Sequence, residues 1–92
     1  IFETIDPELR KVVQGSNDFT FADGALTRKI KLLIAMALDA AHGTSDGVKS
    51  LAGQAMQAGA TREEVLEALR VANYISGVGS VYTAAKAFKE LF

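Results

Sequence analysis

The stretch LTRKIKLLIAMALDAAHGTSDGVKSLAGQAMQAG, Leu26 to Gly59, decides the fold. Its first half is apolar at Ile30, Leu32, Leu33, Ile34, Ala35, Met36, Ala37, Leu38, Ala40 and Ala41. A helix that is apolar nearly all round belongs at the centre of a domain. The run is too short to cross a bilayer, which takes roughly 20 apolar residues. Thr27 is its expected cap, and Gly43 lies just past its end. Arg28, Lys29 and Lys31 stand in its first turns, against the helix dipole, so solvent or an acidic neighbour must offset them. The polar elbow His42-Gly43-Thr44-Ser45-Asp46-Gly47 follows. A second helix runs from about Ser45 to Ala58, capped by Thr44 or Ser45 and stopped by Gly59. Its stripe is Val48, Leu51, Ala52, Ala55 and Met56, mostly small, so another helix can approach closely. Helix N-termini present free N–H groups and partial positive charge, which makes the elbow the natural place for a site.

Outward from this centre, Asp6-Pro7-Glu8 starts a helix: Asp caps, Pro fits the first position, and Glu suits the positive end. Leu9, Val12 and Val13 give its apolar stripe, and Gly15 is expected to close it. Ser16 to Ala25 reads as a connection anchored by Phe19 and Phe21, with a turn at Asp23-Gly24. Thr61 and Glu64 form a capping box. The helix behind it carries Val65, Leu66, Leu69, Ala72 and Ile75. Ser76-Gly77-Val78-Gly79-Ser80 breaks the chain. The last helix runs from about Ser80 to Leu91, with Val81, Ala84, Ala85, Phe88 and Leu91 inward. No period-2 strand pattern and no solenoid repeat stands out. The expectation is one all-α domain over 1–92, a bundle of about five helices.

Composition sets further bounds. Hydrophobic residues make up 49% of 92, more than a small monomer hides easily, so an oligomer is expected. A net charge of -1 argues against a nucleic-acid partner. There is no cysteine, hence no disulfide, thiolate nucleophile or thiolate metal site. A cytoplasmic location and no membrane partner fit this composition, and no signal peptide is seen. The chain begins at Ile1 rather than Met, so residues before it are expected.

From about Leu26 to Ala87 the chain resembles the carboxymuconolactone decarboxylase family, which includes the AhpD-like alkylhydroperoxidases. The resemblance rests on features taken in order. They are Leu26-x-x-Lys29 entering an apolar helix, the polar elbow, then Gln54-Ala55-Met56-Gln57-Ala58-Gly59-Ala60-Thr61-Arg62-Glu63-Glu64-Val65. Glu67-Ala68-Leu69-Arg70-Val71-Ala72 and a glycine-containing break complete the set. The resemblance implies an AhpD-like helical bundle packed as homotrimers or hexamers, with lyase or peroxidase chemistry on the central helix and elbow. The family's Cys-x-x-Cys-x-x-x-His pattern, counted back from Gly59, falls on Thr44, Gly47 and Leu51, and its glutamate falls on Leu32. Every one of these positions lacks the reactive group. Thiol peroxidase activity is therefore not expected, and the histidine of the decarboxylase branch is missing too.

His42 is the one histidine and the candidate for acid–base work at the elbow; its plainer role is to meet the last carbonyls of the helix. Asp39, His42 and Asp46 form a conceivable metal trio, but such spacing arises readily by chance, and no metal or cofactor is expected. Thr44 and Ser45 read as caps rather than nucleophiles. Gly43 to Ser50 fails the phosphate-loop pattern because Val48 intervenes and no strand precedes it. Met36, Tyr74 and Tyr82, with Leu32 and Leu51, are the candidate lining of a pocket for a small apolar ligand. Two functions follow: an enzyme whose chemistry has shifted to His42, or a non-catalytic oligomeric binding or scaffold protein.

Overall fold

Caps and glycines divide the chain as physical chemistry dictates. The Thr27 hydroxyl accepts from the Ile30 N–H at 3.3 Å, starting the central helix. At its far end Gly43 adopts φ 83°, a left-handed value that suits glycine. There the Gly43 N–H donates to the Ala40 carbonyl and the Thr44 N–H to the Asp39 carbonyl. Gly59, at φ 105°, ends the next helix in the same way, with Ala60 N–H donating to the Ala55 carbonyl.

The computed structural model describes residues 2–92. Six helices follow in order: α1 (Phe2–Ile5), α2 (Pro7–Phe21), α3 (Arg28–His42), α4 (Ser45–Gln57), α5 (Arg62–Ser76) and α6 (Gly79–Leu91). With α1 a single turn, five are of substantial length, and no strand occurs among the described residues. Helix α3 packs against α4, α5 and α6, and α6 closes the bundle against α4 and α5. Leu32, Met36, Val48, Ala52, Ala55, Val65 and Ala84 are completely buried. Ser80 is buried as well, and its hydroxyl donates to the Ala72 carbonyl at 3.4 Å.

Four expectations are corrected. Helix α2 does not stop at Gly15. It continues through Ser16 to Phe21, and Gln14 Nε2 donates to Asp18 Oδ1 along the added turn. A mid-helix glycine costs about 1 kcal/mol relative to alanine, which weakens a helix without terminating it. Helix α3 is not buried all round: Leu32, Leu33, Met36 and Ala40 face the core, while Ile30, Ile34 and Leu38 are exposed. In the last helix Ala87, not Ala85, faces inward, and on α5 Ile75 faces outward.

The cations opening α3 find partners. Lys29 Nζ meets Glu64 Oε2 at 3.0 Å, and Lys31 Nζ donates to the Ala22 carbonyl at 2.7 Å. The Arg28 guanidinium sits over the Phe21 ring, 5.9 Å from its centre. Glu64 is thus shared between two jobs. Its Oε1 accepts from the Thr61 N–H at 2.9 Å while its own N–H donates to the Thr61 hydroxyl at 3.1 Å. The Thr61 backbone bond, then Lys29, hold its carboxyl below the usual range. A lowered folded-state value means that this contribution is full above the unfolded pKa and fades as pH falls through the folded one. Thr61→Ala should cost about 0.5–2 kcal/mol. Urea midpoints of wild type and variant at neutral and acid pH check it. An unchanged midpoint at neutral pH would show the box to be energetically silent.

Candidate functional site

The elbow joins the C-terminus of α3 to the first turn of α4. The turn is built by the backbone bonds from Gly43 and Thr44, so its shape does not depend on a side-chain cap. Thr44 stands at the N-cap position of α4, yet its side chain makes no capping bond, contrary to the role expected of it. Its backbone ψ of 84° differs from the 158° and 162° of Thr27 and Thr61 but lies close to the 89° of Asp6, and all three of those residues cap.

His42 is exposed in the last turn of α3. No group of three His, Cys, Asp or Glu side chains among the described residues could hold a metal ion, so Asp39, His42 and Asp46 do not converge. Gly47 lies in the first turn of α4 against the side chain of Asp39. A Cβ on Gly47 would overlap the Asp39 carboxylate oxygen and lie 2.8 Å from its Cγ. Asp39 therefore occupies the space in which any side chain at position 47 would begin. Sequence reasoning assigned Asp39 only to the metal trio. The one hint was a glycine inside a helical turn, where alanine is ordinarily better.

The remaining candidates scatter. Leu32 and Met36 have no exposed surface and belong to the core, so they line no open pocket. Leu51 is half-buried and packs against that core. Tyr74 and Tyr82 are 87% and 70% exposed. Tyr82 borders a polar depression of about 430 Å³ with Gly43, Ser45, Thr83 and Lys86, beside the elbow. The apolar space lies elsewhere. A groove of about 340 Å³ runs between α3 and α5, walled by Ile30, Ile34, Leu38, Val71 and Ile75. On the other side of α4, Lys49 pairs with Glu90 of α6, which holds the Lys49 ammonium above its usual range.

A bundle centred on a helix, a glycine-built elbow and a second helix defines the class of protein. The family described as "Carboxymuconolactone decarboxylase family" matches residues 7–90. The crystal structure of apo-lpg0406, a carboxymuconolactone decarboxylase family protein from Legionella pneumophila, is similar, with a TM-score of 0.89 and 36% identity. That similarity covers 96% of this chain and 79% of the other. No curated protein matches the chain. The chain belongs to the carboxymuconolactone decarboxylase family.

Proposed function

We propose that this protein is a homo-oligomeric member of the family that carries out no thiol redox chemistry, and that His42 is its acid–base residue. The observation that carries the first statement is the absence of any cysteine. A dithiol cycle needs two thiols that can form a disulfide, and methionine oxidation cannot replace it. The positions expected to hold the thiols are Thr44 and Gly47, and the histidine and glutamate positions are Leu51 and Leu32. Support for His42 is its exposure at the end of α3, next in sequence to Gly43 of the polar depression. Support for self-association is the exposed apolar surface on α2, α3 and α5, where Val12, Leu38 and Val71 are each more than half exposed.

The test is peroxide consumption with a dithiol reductant, against a heat-killed control. No turnover is expected, and repeated turnovers by the wild-type chain would overturn the reading. A parallel assay follows carbon dioxide release from carboxymuconolactone. Any release above the buffer rate should disappear in His42→Ala. Release that survives in that variant would place the acid–base group elsewhere.

A further inference from the structure

We propose that α2 of one copy seats its apolar face in the α3–α5 groove of a second copy, with the exchange made reciprocally. The inference rests on the self-association proposed above and names the surfaces that meet. Helix α2 has fifteen residues and buries none of them. Leu9, Val12, Val13 and Phe19 are 44%, 68%, 46% and 86% exposed. Their spacing puts them on one half of the helix, with Glu8 at its edge, and Arg10, Lys11 and Asp18 fall on the other. Among the helices of the described residues, α2 touches only α1 and α3 of its own chain. Its C-terminal end is fixed there: Phe21 packs on the core, and the connection is held by Arg28 N–H donating to Asp23 at 2.6 Å.

The dimensions agree. Leu9 to Phe19 spans about 15 Å of helix, and the groove from Ile30 to Ala41 about 16 Å, at about 1.5 Å per residue. The α5 wall from Val71 to Ser76 carries no charge. A convex helix fills a concave groove, whereas two grooves set face to face would leave voids, and dispersion contacts are lost across voids. One two-fold axis then covers both open faces of both copies.

The surface area points the same way. The chain exposes 6216 Å². A compact monomer of 9.8 kDa would expose roughly 5,200 Å². The excess, about 1,000 Å², matches the roughly 800 Å² per partner that a stable interface buries. The radius of gyration of 13.9 Å also exceeds the roughly 12 Å of a compact chain of this length.

Val13 lies near the middle of the α2 face and Val71 near the middle of the groove, so the test does not depend on the direction in which α2 lies. Light scattering should give wild type a mass of twice 9.8 kDa or more. Val13→Asp and Val71→Lys should each weaken assembly by about tenfold or more, since each buries an unpaired charge. Both positions are solvent-exposed in the single chain, and circular dichroism melts verify that each variant stays folded. Mixing the two variants should restore assembly. One α2–groove contact in the mixed pair is then native, and the other sets Asp against Lys. A wild type that stays at 9.8 kDa would overturn both the pairing and self-association. Assembly that survives either single variant, or is not restored by mixing, would overturn the pairing alone.

Discussion

Leu32→Glu should leave the protein largely unfolded at neutral pH. Leu32 has no exposed surface, and the cluster around it is apolar, with Met36, Val48, Ala52 and Val65 also completely buried. An ionised carboxylate without partners in such a place costs several kcal/mol, and the group responds by neutralising or by unfolding the chain. Domains of this kind hold only about 5–15 kcal/mol in total. Leu32→Ala, which leaves a cavity but no charge, should cost about 2–5 kcal/mol and still fold. A buried glutamate has a raised folded-state pKa, so the penalty shrinks as the carboxyl becomes protonated. Helicity of Leu32→Glu should therefore recover as pH falls toward the ordinary carboxylate range. Circular dichroism melts across pH check this. A neutral-pH melt superposable on wild type would show that position 32 reaches water or a cation. The resemblance puts the family's glutamate at this position, so restoring it alone should damage the fold rather than revive a reaction.

Gly47→Ala should destabilise by about 1–3 kcal/mol, the usual cost of overpacking, although glycine to alanine in a helix ordinarily gains up to about 1 kcal/mol. The sign turns on Asp39. The added Cβ overlaps the Asp39 carboxylate oxygen, lies 2.8 Å from Cγ, and lies 3.3 Å from the Thr44 methyl. Gly15→Ala is the control, because nothing stands within 4 Å of a Cβ built there. It should show the ordinary gain. In an Asp39→Ala background Gly47→Ala should lose its penalty, so the cycle returns a coupling of about 0.5–3 kcal/mol. Urea unfolding of the four chains measures it. A Gly47→Ala gain equal to that of Gly15→Ala would mean the carboxylate swings aside at no cost. The same overlap meets Gly47→Cys, so rebuilding a thiol pair as Thr44→Cys with Gly47→Cys requires Asp39 to be moved or replaced as well.

Local chemistry carried most of the fold into the sequence. Capping at Thr27, Thr61 and Asp6 depends on side chains within three residues of the bond they make. The glycine turns at Gly43 and Gly59 depend on residues only a few places away. The end of α2 was less legible. Gly15 offers a stop without imposing one, and whether a helix continues depends on the sum of its neighbours. The candidate site was least legible. Nothing along the chain says that Asp39 leans on Gly47, or that Met36 is buried while Tyr74 is exposed. Those are statements about where a turn sends two helices.

The sequence by itself determined the helical class, the helix boundaries that caps and glycines enforce, and the absence of any thiol, because each depends on residue identity or on neighbours within a turn. Only the tertiary structure decided which half of α3 faces the core. An all-round apolar helix has no preferred face until α4, α5 and α6 pack against it, and they cover Leu32 and Met36 while leaving Ile34 and Leu38 open. Tertiary structure likewise left Leu9, Val12, Val13 and Phe19 of α2 exposed in the single chain. Burial depends on what lies across from a residue, and that partner can be dozens of residues away or on another copy.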